Sequence, residues 1–327
     1  MTAISAYVLH ELGKAERVEL TDADLPEGEV TVDVSASSLN YKDALAITGR
    51  APIARRFPMV CGIDLAGTVS ASTDPSWRPG DEVLVTGWGL SETHPGGYTT
   101  RQRVPAHMLT RRPDGFTLHE TMAIGTAGLT AMLAVLRLEE VGLTLGRGPV
   151  LVTGAAGGVG SVAVALLSAM GHEVVASTGR PALHDWLRAL GASSVIDRGE
   201  LSAEPTRPLD ATRWAAAVDS VGGATLGSVL RGLSYGGAVA ACGLAGGDDL
   251  PTTVLPFILR GVSLLGVESV RCPAPVREVA WARLAQLLPA GALADITTTA
   301  GFDDLPALAE RILAGAVRGR VVVDVHR

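Results

Sequence analysis

A glycine-rich loop near the middle of the chain constrains the fold more than any other feature. Residues 152–161 read Val-Thr-Gly-Ala-Ala-Gly-Gly-Val-Gly-Ser, between a short apolar run and an apolar stretch long enough for a helix. The spacing Ala155-x-Gly157-x-x-Gly160 is a variant of the dinucleotide-binding pattern, with alanine in the first position. Gly157 would let the backbone approach a pyrophosphate at the positive end of that helix, and Gly160 would let the helix pack closely on the strand. The loop therefore predicts a dinucleotide site.

Apolar runs alternate with helical stretches from this loop onward. The predicted strands are Val150–Thr153, Glu173–Ala176, Ser194–Ile196, Ala216–Val218, Ala238–Ala241 and Val262–Gly266. Pro181–Leu190 is predicted to be a helix, with proline in its first turn and Gly191 just after its end. This alternation predicts a doubly wound α/β domain, in which a parallel sheet is covered on both faces.

The part of the chain before a connector at Leu143–Pro149 has a different pattern. Its short apolar runs, Val30–Val34, Gly62–Val69 and Glu82–Thr86, are separated by glycine- and proline-containing turns such as residues 78–81, Arg-Pro-Gly-Asp. These features predict a smaller, β-rich domain with few helices. A last apolar run, Arg320–Val325, follows the α/β series and is placed to return to this first domain.

The end of the second predicted strand of the α/β domain indicates which dinucleotide binds. In NAD sites this strand usually ends in an acid that bonds the ribose hydroxyls. Here residues 176–180 read Ala-Ser-Thr-Gly-Arg, with no acid to repel a 2′-phosphate and an arginine suited to bind one. NADPH is therefore the predicted cofactor. The alternative is that Arg180 is an ordinary solvated residue at a helix start, and Arg198, after the third strand, is a second candidate for the phosphate.

Composition and charge exclude several classes of partner. The formal net charge is −7 with no basic block, so binding to nucleic acid is not expected. No uninterrupted apolar run approaches the roughly 20 residues that span a bilayer, and the N-terminus does not resemble a signal peptide. The three cysteines are far apart and have neither metal-ligand nor disulfide spacing. We expect a cytoplasmic protein.

Six stretches together carry a resemblance to a known family that runs along nearly the whole chain. They are Ser38–Leu45, Gly62–Asp64, Leu84–Trp88, Ile124–Gly128, Ala240–Gly247 and Leu250–Arg260. In these stretches the chain resembles the acrylyl-CoA reductase and YhdH-type quinone oxidoreductase family of the medium-chain dehydrogenase/reductase superfamily. Residues 270–277 and 314–317 depart from the family pattern.

The resemblance implies a domain organisation and an activity. It implies a GroES-like catalytic domain over residues 1–126, completed by 297–327, and a Rossmann NADPH-binding domain over 127–296. It also implies a homodimer joined through the Rossmann sheets, and NADPH-dependent reduction of the double bond of acrylyl-CoA, a small CoA thioester.

The expected site residues follow from the loop, the strand ends and the family stretches. Tyr41 and Asn40 are the catalytic candidates. The cofactor-binding candidates are Tyr41, Thr126, Ala156, Gly157, Gly158, Val159, Gly160, Ser177, Thr178, Gly179, Arg180, Arg198, Gly243, Leu244, Ile258 and Ser269.

Zinc-dependent members of the superfamily hold their catalytic metal with cysteine, histidine and glutamate. The stretches that match those positions read Leu39-Asn40, Ile63-Asp64 and Gly125-Thr126. None supplies a thiolate or an imidazole, which are ligands that zinc prefers. The sequence therefore predicts a metal-free enzyme. Asp64 could in principle ligate a metal, but a structural role or a polar role in the cleft is the favoured interpretation.

Without a metal, another group must stabilise the charge that develops during reduction. Hydride addition to the β-carbon of an unsaturated thioester moves charge onto the carbonyl oxygen, where hydrogen-bond donors are effective. The Tyr41 hydroxyl is a candidate to donate that bond or relay a proton, and cofactor contact is an equal alternative. Asn40 is a candidate to orient the substrate or the nicotinamide ribose.

Two other functions remain open at this point: an NADPH:quinone oxidoreductase, and a protein that binds NADPH without catalysis. The remaining polar candidates are weaker. Arg50, Arg55 and Arg56 form either a site for CoA phosphates or a solvated cluster, while His94, Cys61 and Cys242 are better explained as loop or core residues.

Overall fold

A computed structural model describes residues 3–202, 207–289 and 291–327. The chain forms two compact units. The first runs to Thr126 and continues with Ser269–Ala285 and Leu293–Arg327, and the second comprises Ala127–Glu268 and Gln286–Ala292. The domain boundaries predicted from the sequence, 126/127 and 296/297, remain a proposal.

The first unit is rich in strands, as its short apolar runs predict. Its strands are β1 (Ile4–Glu11), β2 (Lys14–Leu20), β3 (Val30–Leu39), β4 (Met59–Val60), β5 (Asp64–Ser72), β6 (Glu82–Thr86), β7 (Arg101–Val104) and β8 (Thr110–Arg111), with β15 (Thr297–Ala300) and β16 (Arg320–Asp324) near the C-terminus. Its helices are α1 (Tyr41–Thr48), α8 (Ala274–Leu287), α9 (Ala292–Ile296) and α10 (Leu305–Leu313). The predicted strand at Gly62 begins instead at Asp64, because Gly62 turns the chain with φ of +96°.

The main sheet of the first unit has the order β15-β16-β3-β5-β6-β8, with β7 also paired to β3. Along β3, Val30, Val32 and Val34 alternate with more exposed residues and point into the core, the period expected of a half-buried strand. The late strand β16 pairs antiparallel with β3, so that Val321 lies opposite Leu39. This pairing brings Arg320 to the end of β3, where α1 begins.

The second unit has the predicted doubly wound architecture. Its strands are β9 (Val150–Val152), β10 (Val174–Thr178), β11 (Ser194–Asp197), β12 (Trp214–Asp219), β13 (Leu233–Ala241) and β14 (Ser263–Gly266), and its helices are α3 (Gly158–Ala169), α4 (His184–Ala189), α5 (Gly199–Ser202), α6 (Gly223–Gly232) and α7 (Leu255–Arg260). All neighbouring strands are parallel, in the order β11-β10-β9-β12-β13-β14. This is the Rossmann order, which confirms the predicted fold class. Its ligand crevice lies where the order reverses, between β9 and β12.

A long apolar helix, α2 (Leu118–Glu140), begins in the first unit and continues into the second, with the division after Thr126. Its length and composition would allow it to cross a membrane, but 83% of its most apolar window is buried within the protein. Gly125 interrupts it with φ of +52° and ψ of −161°, a conformation that only glycine adopts readily.

Candidate active site

The glycine loop turns directly from β9 into α3. Gly154 has φ of +57°, and its carbonyl oxygen accepts a hydrogen bond from the Gly157 N–H at 2.9 Å. A Cβ on Gly160 would lie 2.6 Å from the Cα of Ala155, so a side chain there would push α3 away from the loop. The first N–H groups of a helix lack partners within the helix, and those of α3 begin at Gly158. The loop therefore has the local geometry of a phosphate-binding turn.

A buried carboxylate that the sequence interpretation missed ties this loop to the neighbouring strand end. Asp219, the last residue of β12, is fully buried and accepts hydrogen bonds from the Thr153 hydroxyl at 2.6 Å and the Gly222 N–H at 2.8 Å. Burial raises the pKa of Asp219. Ser220 donates its hydroxyl to the Thr153 carbonyl at 3.2 Å. The sequence does contain a signal for Asp219: it is an acid directly after the predicted strand Ala216–Val218. In this fold, that strand end lies at the switch point, where the ligand crevice is found.

The residues predicted to meet a 2′-phosphate cluster at the end of β10. Ser177 and Thr178 are buried, and the Arg180 guanidinium donates to the Ala156 carbonyl of the glycine loop at 3.2 Å. The Arg198 backbone N–H donates to the Thr178 carbonyl at 3.1 Å, which places the second arginine at the same strand end.

The Arg198 side chain leaves no room for a side chain at residue 179. A Cβ on Gly179 would lie 2.6 Å from the Cδ of Arg198. Asp197, the residue before Arg198, has a carboxylate oxygen that accepts the Gly199 N–H at 2.7 Å. Arg180 and Arg198 thus supply positive charge at the end of β10 and β11.

The two catalytic candidates lie where β3 ends and α1 begins. Asn40 precedes the first turn of α1 with extended backbone angles, and its N–H donates to the carboxylate of Asp43 at 2.9 Å, which caps the helix. Tyr41, the next residue, has 37% of its surface exposed, whereas Asn40 is only 7% exposed. The junction therefore presents the tyrosine and buries the asparagine.

The Asn40 side chain is held by a buried carboxylate, Asp64, at the start of β5. Asp64 is fully buried and accepts from the Asn40 amide at 3.0 Å and from the Ser38 hydroxyl at 2.6 Å. It also accepts from the Thr126 N–H at 2.9 Å and from the Thr126 hydroxyl. Asp64 thus joins Asn40 and Thr126, two predicted site residues that are far apart in the sequence.

A buried arginine from the C-terminal strand completes this cluster. The Arg320 guanidinium donates to the Asn40 side-chain oxygen at 3.2 Å, to the Ser38 hydroxyl at 3.0 Å and to the Ala123 carbonyl at 2.8 Å. A Cβ on Gly125 would lie 2.7 Å both from the Arg320 guanidinium and from the Asp64 carboxylate. Glycine is therefore required where α2 is interrupted. We call Ser38, Asn40, Asp64, Thr126 and Arg320 the Arg320 cluster.

The protonation of the neighbouring Asp43 is set by burial. Its side chain is fully buried and accepts from the backbone N–H groups of Asn40 and Ile63, each at 2.9 Å. Desolvation, followed by the negative charge of Asp64, raises the pKa of Asp43 to about 7. Desolvation also lowers the pKa of Arg320, which the charges of both carboxylates oppose.

The Arg320 cluster does not fit a zinc ion. The three stretches that correspond to the zinc-binding positions supply Asn40, Asp64 and Thr126, and the Asp64 oxygens already accept N–H and O–H bonds. The Arg320 cation bonds to the same residues. Among residues 3–202, 207–289 and 291–327, no group of three or more histidine, cysteine, aspartate or glutamate side chains is placed to hold a metal ion.

We therefore expect turnover to survive exhaustive chelation and the purified protein to carry less than stoichiometric zinc. The physical reason is that a guanidinium and amide and hydroxyl donors occupy the positions where a metal would need thiolate or imidazole. The measurement is elemental analysis paired with turnover before and after dialysis against a chelator. One zinc per chain, with activity lost on its removal and restored by zinc, would overturn this expectation.

The remaining cofactor candidates lie on loops and helix ends. In the second unit, a Cβ on Gly243 would lie 3.0 Å from the Cα of Ser220. Gly243 therefore packs directly against the residue that follows β12. Leu244 and Ile258 are 58% and 68% exposed. Ser269 is the residue at which the chain re-enters the first unit.

The weaker sequence candidates have structural partners. Arg50 pairs with Glu310 at 2.6 Å, and Arg55 lies 3.8 Å from Glu92. His94 Nδ1 lies 2.8 Å from the Pro95 carbonyl oxygen, and burial lowers the pKa of the imidazole.

Two of the cysteines are also better explained as packing residues. Cys61 is fully buried, and burial raises its pKa, so its thiol is not a reactive nucleophile. Burial likewise raises the pKa of Cys242, to about 12.

Both parts of the chain match described domain families. Residues 26–114 match the alcohol dehydrogenase GroES-like domain, and residues 158–286 match the family described as zinc-binding dehydrogenase. A GroES-like domain combined with a Rossmann domain of this kind defines a medium-chain dehydrogenase/reductase. The expected GroES-like and Rossmann domain types are thereby confirmed.

Relatives that match along nearly the whole chain narrow the class. The acrylyl-CoA reductase AcuI of Ruegeria pomeroyi is 52% identical over 97% of this chain and 96% of its own length. The YhdH oxidoreductase of Salmonella enterica, solved in complex with NADP, is 50% identical over 98% of this chain and 99% of that one, with a TM-score of 0.95. The Bacillus subtilis protein YhfP, solved with NAD bound, is 42% identical over 99% of this chain and 100% of that one, also with a TM-score of 0.95. The chain belongs to the acrylyl-CoA reductase and YhdH-type oxidoreductase family.

Proposed function

We propose that the protein reduces the carbon–carbon double bond of acrylyl-CoA to give propionyl-CoA, with NADPH as the reductant and without a metal. The observation that carries this proposal is the 52% identity to an acrylyl-CoA reductase over nearly the full length of both chains. The reaction consumes one NADPH, one proton and one acrylyl-CoA, and yields NADP⁺ and propionyl-CoA: the hydride of NADPH forms the new C–H bond at the β-carbon, and the proton forms the one at the α-carbon.

We assign the cofactor to the glycine loop and the strand ends around it. The tight turn at Gly157–Gly160 supports binding of the pyrophosphate, and Arg180 and Arg198 support binding of a 2′-phosphate. The proposed contacts are those expected from the sequence: Tyr41, Thr126, Ala156, Gly157, Gly158, Val159, Gly160, Ser177, Thr178, Gly179, Arg180, Arg198, Gly243, Leu244, Ile258 and Ser269. NADPH, when bound, supplies the hydride.

The protein's own residues would stabilise the enolate and orient the reacting groups. Tyr41 is the exposed member of the β3–α1 junction, and its hydroxyl is proposed to donate a hydrogen bond to the thioester oxygen or to contact the cofactor. The Asn40 amide is already bonded to Asp64 and Arg320. Asn40 is therefore proposed to act by fixing the position of Tyr41 at the first turn of α1.

A thioester is a better hydride acceptor than a carboxylate, and the CoA moiety adds remote binding energy. That binding energy can be used to hold the β-carbon against the hydride donor, so loss of the nucleotide part should lower turnover as well as affinity. Arg50 and Arg55 lie near Glu310 and Glu92, and Arg56 is exposed. Arg56 is therefore the member of the arginine cluster proposed to meet a CoA phosphate.

The proposal is tested by comparing three substrates under identical conditions: acrylyl-CoA, a short acrylyl thioester lacking the nucleotide, and a simple quinone. We expect kcat/KM for acrylyl-CoA to exceed that for each of the others by at least about 100-fold, which corresponds to about 2.7 kcal/mol of binding energy used in the transition state. Initial rates of NADPH oxidation give all three constants, and propionyl-CoA is identified by mass.

Two outcomes would count against acrylyl-CoA. If the quinone is the best substrate and the truncated thioester matches acrylyl-CoA, the protein is an NADPH:quinone oxidoreductase. If NADPH binds but none of the three is reduced, the protein binds the cofactor without this catalysis.

We also propose a cytoplasmic homodimer joined through the sheets of the second unit. Strand β14 (Ser263–Gly266) ends the six-stranded sheet, and its outer backbone edge pairs with no other strand among the residues that the structure describes. Apolar side chains lie on it and on the adjacent α7: Leu264 is 37% exposed, and Leu259 is 58% exposed. Pairing of two such edges would continue the sheet and cover this apolar surface.

A further inference from the structure

One buried cation in the first unit takes no part in the proposed chemistry. The Arg277 side chain, on α8, is 1% exposed. Its guanidinium donates to the carbonyl oxygens of Cys272 at 2.8 Å, Ser269 at 2.6 Å and Val270 at 2.8 Å, and to the carbonyl and hydroxyl oxygens of Thr86 at 2.7 and 3.1 Å. These five bonds use all five N–H groups of a guanidinium, so the buried charge is fully hydrogen-bonded.

The same cation covers a strained loop that follows β6. The Arg277 Cζ lies 4.6 Å from the centre of the Trp88 ring, within the range of a cation–π interaction. Trp88 has φ of +53°, which is unfavourable for a bulky residue. Such a conformation persists where its surroundings enforce it, and it is concentrated at functional sites.

The loop and the segment 269–272 are also joined through their backbones. The Trp88 N–H donates to the Val270 carbonyl at 3.0 Å. A Cβ on Gly87 would lie 3.0 Å from the Val270 Cα, so the approach is close enough to favour glycine. Arg277 therefore sits at the centre of an arrangement that fixes Ser269 against the end of β6.

We infer that Arg277 is a positioning residue for cofactor binding: by bonding residues 269, 270 and 272 to Thr86 and covering Trp88, it holds Ser269 where it can contact NADPH. The inference rests on the proposed cofactor contact of Ser269. A carbonyl-rich segment without a side-chain anchor would sample other conformations. If only about 1–10% of the molecules held the binding-competent conformation, NADPH would bind about 10- to 100-fold more weakly.

The test compares Arg277→Met and Arg277→Lys with the unchanged protein. Methionine keeps much of the apolar stem but donates no hydrogen bond, and lysine can replace at most three of the five. We expect Arg277→Met to raise the Kd and the KM for NADPH by about 10- to 100-fold, with kcat at saturating NADPH within about threefold. The Kd and the KM of Arg277→Lys for NADPH should fall between those of Arg277→Met and those of the unchanged protein. NADPH binding is measured directly by nicotinamide fluorescence, besides turnover with acrylyl-CoA.

A matched control separates positioning from general destabilisation. Arg112, also in the first unit, donates to the Glu82 carboxylate at the start of β6 at 2.5 Å and to the backbone oxygens of Pro113 at 3.1 Å and Phe116 at 2.6 Å; none of these partners lies in residues 269–272. Arg112→Met should lower the Tm while leaving the Kd for NADPH within about twofold of its original value. If it raises that Kd as much as Arg277→Met does, the effect is one of stability and the positioning role is wrong.

The remaining outcomes are also decisive. If Arg277→Met does not fold, the test rests on the Kd of Arg277→Lys for NADPH. A change of less than about twofold in that Kd contradicts the positioning role of Arg277. A folded Arg277→Met that binds NADPH normally contradicts it as well. Tight NADPH binding by the unchanged protein without reduction of acrylyl-CoA rejects only the proposed substrate, and leaves the binding test of Arg277 intact.

Discussion

Replacing Arg180 by alanine is expected to raise the KM for NADPH by about 10- to 150-fold and to leave the KM for NADH nearly unchanged, because a hydrogen bond to a charged group contributes about 1.5–3 kcal/mol. Residues 176–180 contain no acid, and Arg180 and Arg198 lie together at the ends of β10 and β11. The unchanged enzyme should therefore prefer NADPH. The measurement is kcat/KM for both cofactors in each variant.

Two controls make this prediction specific. Arg188→Ala removes an arginine from α4 that pairs with Asp185 at 2.8 Å, and should change neither constant. Arg198→Ala should weaken NADPH selectively if the second arginine shares the phosphate. Because Arg180 also bonds the Ala156 carbonyl, an equal rise in both constants would assign it to support of the glycine loop instead. Both cofactors should be tested, because one relative was crystallised with NAD bound. Equal use of NADH and NADPH by the unchanged protein would contradict the assignment of Arg180 to the 2′-phosphate.

Replacing Arg320 by methionine is expected to lower the free energy of unfolding by about 3–5 kcal/mol, because it leaves a buried carboxylate without its compensating cation. Arg320 is 2% exposed and bonds Asn40 and Ser38, both of which bond Asp64. Urea unfolding, with the slope compared between variants, measures the change.

A second substitution separates the effect of the uncompensated charge on stability from the effect of lost packing. Adding Asp64→Asn to Arg320→Met removes the uncompensated charge and should restore part of the stability, in a double-mutant cycle. Arg111→Met, which removes an exposed arginine near Asp81, should change stability by less than about 0.5 kcal/mol. A loss below about 1 kcal/mol for Arg320→Met would show that the cluster is not held by charge compensation.

The second unit could be predicted in detail because its signals are local. Each parallel strand is a short apolar run bounded by turn residues, so β9, β10 and β14 lie within two residues of their predicted ends. Differences arise at helix starts: the helix predicted from Pro181 begins with a 3-10 turn, Pro181–Leu183, and becomes α-helical at His184. Periodicity does not distinguish these two forms of one turn.

The polar clusters of the first unit could not be predicted in the same way. The sequence interpretation selected Asn40, but its partner Arg320 lies 280 residues away, and no local pattern joins them. The sequence interpretation likewise assigned no role to Arg277, which lies in residues 270–277, a stretch that departs from the family pattern. Buried arginines of this kind are defined by tertiary acceptors, which a single sequence does not reveal.

The position of Arg320 also fixes the order in which the protein can be completed during synthesis. At about 5–20 residues per second, the ribosome adds Arg320 some 14 to 56 s after Asn40, since 280 residues separate them. The strands of the second unit all emerge within that interval. The unit that is begun first is thus finished last, and until β16 emerges Asp64 has no cation to accompany it into the core. In nascent chains stalled before residue 320, all strands of the second unit have been synthesised while the first unit still lacks β16, and chaperones and proteases would meet the protein with this first unit incomplete.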